Sequence, residues 1–401
     1  MPLRAKDEVM AVEYTQVGAL TVSRIGFGCY AMSGVYGARD PGLWPPLIRA
    51  ARDLGVTLFD TADRYGPAEE ILGRAVATFR DSVVIASKVG VTASGRTDAS
   101  RDHVFRSCEA SLRRLGTDRI DLYQVHYDDP ATPVAETLAA LEELRAAGKI
   151  REYGVGHLPV ARVREYLAAG RPASVLFELS AVARSSAREL LPLIREHGVP
   201  GIAFSPTGRG LLTGAIRAGH VFGAGDLRAL DPLMQRERFD SGLRIAAKMA
   251  AVGARTGGWT AAQVAIAWVL AQPGVAVALT GPSNAAHLEE NARACDVQLA
   301  PADLAEIQGL LAEEDAFISE AGRVAAARIV GGPLAPAVED VCRDLMYVLE
   351  MAVERGWATE EQAMPLVFAL VGFLKGKPAN DLTLEGIRRT IAELVGSVLT
   401  G

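Results

Sequence analysis

The chain has little cysteine: Cys29, Cys108, Cys295 and Cys342 are spread through 401 residues, with no C-x-x-C pair among them. That usage excludes a disulfide framework and the common cysteine zinc sites, and no metal is expected. Three of the four read as reduced structural thiols. Cys29 alone follows a strand in a region expected to face a ligand. Basic residues are not in excess either, since 42 Lys and Arg stand against 48 Asp and Glu for a net charge of -6. Such a chain lacks the electrostatic footprint for phosphate backbones or anionic lipid, so neither nucleic acid nor membrane is an expected partner. No apolar run follows the charged start Met1-Pro2-Leu3-Arg4-Ala5-Lys6-Asp7-Glu8, which excludes a secretory signal there. The longest apolar run on a helical pattern, 364–374, falls well short of the ~20 residues of a membrane span. A soluble, cytoplasmic protein is expected.

Short β-branched, apolar runs are plentiful. They occupy 24–29, 56–60, 83–88, 120–126, 150–156, 173–178, 201–204 and 275–279, with amphipathic helical patterns between them. Near-continuous apolar strands alternating with helices indicate parallel strands covered on both faces. Eight such units predict an α/β protein with a closed (β/α)8 TIM barrel. Segments 12–15 and 19–22 flank Gln16-Val17-Gly18 and predict an N-terminal β-hairpin that plugs one end. Between the seventh and eighth strands, 207–239 is rich in Gly, Arg and polar residues, and helical patterns follow at 241–254 and 260–271. A loop of that length in a compact barrel is expected to be a functional lid.

Helices at 285–295 and 301–313 complete the barrel unit, 1–314. The rest, 315–401, reads as an all-helical C-terminal extension. Val338, Val341, Leu345, Val348, Leu349 and Ala352 fall at helical spacing and stop at Gly356. Thr359 and Gln362 form a capping box for a second helix. Ile387, Ile391, Leu394, Val395 and Val398 follow Pro378 and Asn380 as a third. Each helix would be marginal alone, so they must pack on the barrel, on each other or on another chain.

Barrel chemistry sits at the C-terminal ends of the strands. Those ends carry Asp60 and Tyr65 after the second strand, Lys88 on the third and His126 on the fourth. One such residue alone is ordinarily packing or a satisfied core group. Four at consecutive strand ends would face one mouth. A phenol with a pKa near ~10 is a poor acid at neutral pH, and the Lys88 ammonium would favour phenolate and lower that value. Asp60 would partner Lys88 against desolvation, and His126 would donate a hydrogen bond to a substrate oxygen. Together they would protonate an oxygen while charge builds on it, as when hydride adds to a carbonyl.

The sequence resembles the aldo/keto reductase family over roughly residues 12–314. The carriers are Phe59-Asp60-Thr61-Ala62-Asp63-Arg64-Tyr65-Gly66, Ser87-Lys88-Val89-Gly90, Ser111-Leu112-Arg113-Arg114-Leu115-Gly116, Asp121-Leu122-Tyr123-Gln124-Val125-His126, Gly148-Lys149-Ile150-Arg151, Ser205-Pro206-Thr207-Gly208-Arg209-Gly210-Leu211-Leu212-Thr213-Gly214 and Leu288-Glu289-Glu290-Asn291. The resemblance implies carbonyl reduction with NADPH by the tetrad Asp60, Tyr65, Lys88 and His126. It implies that Phe204 stacks on the nicotinamide and that Ser205, Thr207, Gly208 and Arg209 wrap the pyrophosphate. It also implies that Gly281, Ser283, His287, Glu290 and Asn291 meet the adenine end, near a helix start at Asn284. Tyr30 and Tyr127 match pocket-lining positions. Asp128 and Asp129 beside Tyr127 would disfavour strongly anionic substrates, leaving aldehydes, ketones or sugars.

Three departures from the family pattern stand out. Gly156-His157 and Leu176 replace the usual Ser-Asn and Gln that hold the carboxamide. A leucine cannot hydrogen-bond an amide, so either His157 takes over that role or the nicotinamide is held more loosely. Gly281, Ser283, Asn284 and His287 replace the cations that commonly grip the 2′-phosphate. NADPH remains favoured, with NADH or dual use open. The extension after Glu314 has no counterpart in the family core; it would close over the substrate, form a homo-oligomer contact or pack on itself. The leading expectation is a carbonyl reductase or alcohol dehydrogenase acting on a small molecule. The alternatives are a nucleotide-sensing barrel subunit whose C-terminal helices dock a partner and, more weakly, a redox-silent lyase or epimerase.

Overall fold

The structure, a computed structural model, describes residues 12–223, 225–374 and 383–399. Met1 to Glu8, Pro378 and Asn380 lie outside the described residues, as does the Val398 side chain. A two-stranded hairpin comes first, β1 (Tyr14–Val17) and β2 (Leu20–Ser23). Eight parallel strands then close a barrel: β3 (Ile25–Gly28), β4 (Leu58–Asp60), β5 (Val84–Val89), β6 (Ile120–Val125), β7 (Ile150–Gly156), β8 (Val175–Glu178), β9 (Gly201–Phe204) and β10 (Val275–Thr280). β10 pairs with both β3 and β9, which leaves the barrel no free edge.

The first strand connections carry α1 (Trp44–Asp53), α2 (Ala68–Val76), α3 (Arg101–Leu115), α4 (Val134–Ala146), α5 (Val160–Ala169) and α6 (Ser185–Glu196). Between β9 and β10 lie α7 (Arg236–Thr256) and α8 (Ala261–Leu270), and after β10 comes α9 (Ala285–Ala292). Thr260 and Gln263 start α8 with a reciprocal capping box.

The hairpin turn is tighter than the sequence suggests. Val17 pairs with Leu20, so the loop is Gly18-Ala19, and Gly18 takes a left-handed φ of 58° that its missing Cβ permits. Val17, Leu20 and Val22 bury against Leu58, Val84, Leu122, Ile202 and Val277, closing the N-terminal end of the barrel. Only the C-terminal mouth remains open to chemistry.

The helix begun at Pro301 does not end near 313. It runs as α10 (Pro301–Gly331), followed by α11 (Val338–Glu354), α12 (Glu360–Leu374) and α13 (Leu384–Leu399). Thr359 and Gln362 cap α12 as expected. Val341, Leu345, Val348, Leu349 and Ala352 are buried with Leu370, Ile387, Ile391 and Val395 in a core of their own, while Val338 is half exposed. Buried charges fasten this core to the barrel. Arg238 of α7, 2% exposed, donates to Glu350 at 2.9 Å and to Glu354 at 2.8 Å, and the Tyr347 hydroxyl donates to Glu237 at 3.1 Å. Most of the extension's apolar stripe is therefore covered within this chain, with Val338 and Phe368 left exposed. No helix among the described residues is long and apolar enough to cross a membrane.

Candidate active site

Parallel strands bring Asp60, Lys88 and His126 side by side. Asp60 ends β4, Lys88 lies in β5, and His126 follows β6. All three are buried, and Tyr65, half-buried, reaches back over them from the β4–α2 loop. The Lys88 ammonium donates to Asp60 Oδ1 at 2.5 Å and to the Thr61 carbonyl at 2.8 Å, and lies 4.9 Å from the Tyr65 ring centroid. The Tyr65 and His126 rings meet edge to face at 5.8 Å. Strand alternation also supplies a residue missed in sequence. Gln124 lies two positions before His126, on the same face, and its amide donates to Asp60 Oδ2 at 3.2 Å.

The electrostatics correct one expectation. Burial pushes the Tyr65 phenol well above its usual value, and Asp60 pushes it further in the same direction. The net direction is upward in spite of the Lys88 ammonium, which is paired with Asp60. Tyr65 is therefore held as a neutral phenol. Burial drives the His126 imidazole well below its usual value, with Lys88 and His157 adding to the effect. A neutral imidazole results, and its buried Nδ1 has no hydrogen-bond partner. Cys29 is fully buried, and its thiol is pushed far up by desolvation first and Asp60 second. It is an inert packing group.

Aromatic rings line one side of the mouth. Tyr30, 41% exposed, stacks at 4.8 Å from Tyr65, and Tyr127 sits 4.4 Å from His126 and 5.1 Å from His157. The two carboxylates beside Tyr127 do not supply a free negative charge to the mouth, contrary to the sequence argument. Arg162 donates to Asp128 at 2.7 Å, while Asp129 is buried and accepts from the amide of Ala99 and the hydroxyl of Thr132.

Phe204 ends β9 half-buried, with its ring 5.6 Å from that of His157. His157, Ser205 and Arg209 all adopt left-handed backbone, with φ of 54°, 56° and 55°. Non-glycine residues in that region concentrate where a fold holds a ligand. His157 is exposed on one side and walled on the others. That surrounding, with the Arg209 guanidinium, lowers its imidazole to about 4. Leu176 is buried and turns into the barrel.

The loop after β9 is less free than an anion cradle would be. Gly208 and Gly210 spend their amides on Ser205 and Thr207 carbonyls, and Gly208 packs against Val182. Arg209 is clamped at 2.9 Å by both Glu178 and Asp231, partners that sequence alone did not suggest. The same loop then crosses the mouth to the segment after β3. Leu227 donates to the Val35 carbonyl at 2.9 Å, and Arg228 lies 5.0 Å from the rings of both Tyr36 and Phe222. On the far side, Gly281, Ser283 and His287 surround the start of α9. The Ser283 hydroxyl lies 2.9 Å from His287 Nδ1, and Asn284 caps the helix by accepting from the His287 amide at 2.8 Å. Glu290 is half-buried and Asn291 buried on the same helix. Among the described residues, no group of three His, Cys, Asp or Glu could hold a metal.

A closed eight-strand parallel barrel, plugged below and open above on a Lys–Asp pair beneath a tyrosine, defines an oxidoreductase of the barrel type. The sequence model of the Aldo/keto reductase family matches residues 24–312, and the chain belongs to that family of NAD(P)-dependent oxidoreductases. Aldo-keto reductase YhdN of Bacillus subtilis is 34% identical over 293 residues, covering 69% of this chain and 87% of the relative. The NADP(+) aldo-keto reductase yakc of Schizosaccharomyces pombe is 31% identical over 311 residues, covering 75% and 91%. Among solved structures, the glycerol dehydrogenase AKR11B4 of Gluconobacter oxydans aligns with a TM-score of 0.69 at 27% identity, over 82% of this chain and 99% of that one. The holo form of aldo-keto reductase AKR11C1 from Bacillus halodurans gives 0.63 at 28% identity, over 75% and 96%.

Proposed function

We propose that this chain reduces a small aldehyde or ketone, a sugar among the candidates, or oxidises the corresponding alcohol, with Tyr65 as the proton donor and acceptor. The observation that carries the reading is the buried Lys88–Asp60 pair 4.9 Å below the Tyr65 ring, with neutral His126 at its edge. Tyr65 hands its phenolic proton to the substrate oxygen, and His126 orients that oxygen by hydrogen bonding. Lys88, held by Asp60, which in turn accepts from Gln124, stabilises the negative charge left on the phenol oxygen. Tyr30 and Tyr127 wall the pocket with aromatic surface and hydroxyls, which suits a hydroxylated substrate.

A bound nicotinamide supplies the hydride. The chain fits it with Phe204 for the ring, His157 for the carboxamide, and Ser205, Thr207 and Gly208 along the pyrophosphate, with Arg209 keeping that loop in place. Gly281, Ser283, His287, Glu290 and Asn291 take the adenosine end. Residues 281–291 contain no Lys or Arg, so discrimination between the cofactors is weak: NADPH is favoured and NADH accepted. The NADP(+) in the name of the fission-yeast relative supports that order.

The test is aldehyde-dependent oxidation of NADPH and of NADH by Tyr65→Phe. Turnover is expected to fall about 10²- to 10⁴-fold while cofactor affinity stays unchanged. Undiminished turnover would overturn the reading.

A further inference from the structure

We infer that α11 of the extension latches a strap across the barrel mouth, and that the nicotinamide cofactor enters and leaves when this strap lifts; the second half rests on the proposed function. The strap is 225–235, which leads from the β9 loop to α7. At its outer end Leu227 donates to the Val35 carbonyl at 2.9 Å, Asp226 bridges to Tyr36, and Arg228 lies 5.0 Å from the Tyr36 ring. Beneath it Arg228 donates to the Arg209 carbonyl at 3.3 Å, and Asp231 holds the Arg209 guanidinium at 2.9 Å. The strap therefore grips the loop proposed to run along the pyrophosphate. Apart from Asp226, residues 225–231 are exposed or half-buried, so little packing of their own keeps them closed. Their hold depends on the two ends.

The inner end is tied to the appendage. Asp231 caps a short turn, Pro232–Met234, by accepting from the Leu233 amide at 3.0 Å, and that buried turn packs on α11. Arg236 follows in left-handed backbone, with φ of 51°, a conformation that a non-glycine residue keeps when its surroundings impose it. Here α11 supplies those surroundings. Asp344 pairs with the Arg236 guanidinium, which lies 5.3 Å from the Tyr347 ring. The Tyr347 hydroxyl donates to Glu237, and Glu350 and Glu354 accept from Arg238. Successive helical residues point about 100° apart, so a neighbour packed along a helix ordinarily leaves at least one of any three turned away. All three reach α11, which places it around the start of α7, where the strap arrives. The seam between barrel and extension is thus the strap's anchor.

The experiment is hydrogen–deuterium exchange of the full chain without cofactor, read over 225–235 in wild type and in Asp344→Asn combined with Tyr347→Phe, which alters α11 alone. Exchange across the strap is expected to quicken about tenfold while β5 and β6 keep wild-type protection. Asp340→Asn is the control, since that carboxylate faces Arg343 of its own helix, and it should leave the strap unchanged. If the double variant fails to fold, Arg236→Met breaks the Asp344 pair from the barrel side. Release of NADPH, followed by its fluorescence in a stopped-flow instrument on displacement with excess NADP+, should quicken about tenfold in the same variants. Strap exchange equal to wild type, or quickened equally throughout the barrel, would overturn the latch. A faster strap with unchanged NADPH release would overturn its control of the cofactor. Failure of NADPH to bind at all would overturn the proposed function and the cofactor half with it, while the exchange result still decides the latch.

Discussion

A Cβ placed on Gly156 would lie 2.9 Å from the Cβ of Leu176 and 3.0 Å from its Cδ2. The two residues are Cα partners across β7 and β8, and the leucine fills the volume that a side chain at 156 would need. The two family departures on these strands are therefore one change, matched in shape.

Gly156→Ser alone should overpack the barrel and cost about 1–3 kcal/mol. Adding Leu176→Gln should recover much of that loss, with a coupling of about 0.5–3 kcal/mol in a double-mutant cycle followed by urea unfolding. Strictly additive effects would show that the pair is not matched.

Lys88→Met should lower turnover by about 10²- to 10⁴-fold. It should also destabilise the fold by about 3–5 kcal/mol, because Asp60 loses the partner that offsets its burial. Adding Asp60→Asn should restore the melting temperature without restoring turnover. Recovery of both together would reduce Lys88 to a structural role.

The two mouth histidines set an acid limit. Burial holds His126 well below the usual 6.5, and the walls around the partly exposed His157, with Arg209, lower it to about 4. Between about 6.5 and 4 the unfolded imidazoles bind protons that the folded ones refuse, so stability is full above 6.5 and falls as pH drops through that window. Because Glu350 gains stability over the same window, the loss is read by comparing wild type with a variant in unfolding free energies from pH 7 to pH 4. His157→Asn, which keeps a side chain tolerant of left-handed backbone, should decline less steeply.

At the seam, Arg238→Met should cost about 3–5 kcal/mol by stranding Glu350 and Glu354. Burial raises the Glu350 carboxyl to about 7 from its ordinary 4.5. Its contribution to stability is therefore full below 4.5 and lost as pH rises through 7. Glu350→Gln should remove that part of the pH dependence, which thermal melts at pH 5 and pH 8 would reveal.

Much of this molecule could be read before folding because its signals are local. Each barrel strand is a continuous apolar run, and a closed barrel gathers Asp60, Lys88 and His126 at its strand ends whatever the intervening loops do. The continuation of α10 past 313 was illegible for a local reason too: Glu313, Glu314 and Asp315 look like the polar end of a helix. In the fold Glu314 and Asp315 meet Arg244 and Arg184, which lie far away in sequence, and the helix continues. Arg209 illustrates the same difficulty at the mouth. Its Gly-Arg-Gly setting suggested a phosphate grip, and only long-range folding brought Glu178 and Asp231 to its guanidinium. The Tyr65 ring lies 4.9 Å from the Lys88 ammonium, and its proton affinity depends on burial that no motif encodes.

The 31 residues of α10 give the extension a mechanical character. At 1.5 Å per residue they form a rod of about 46 Å, rooted among the barrel helices and ending among those of the appendage. A flexible tether would let the appendage wander, whereas a continuous helix transmits rotation. Along its length α10 packs on α7 of the barrel and on α11 and α13 of the appendage, next to the segment whose Asp231 holds Arg209. Cutting the chain near residue 320 would therefore not detach an ornament; it would saw through a lever.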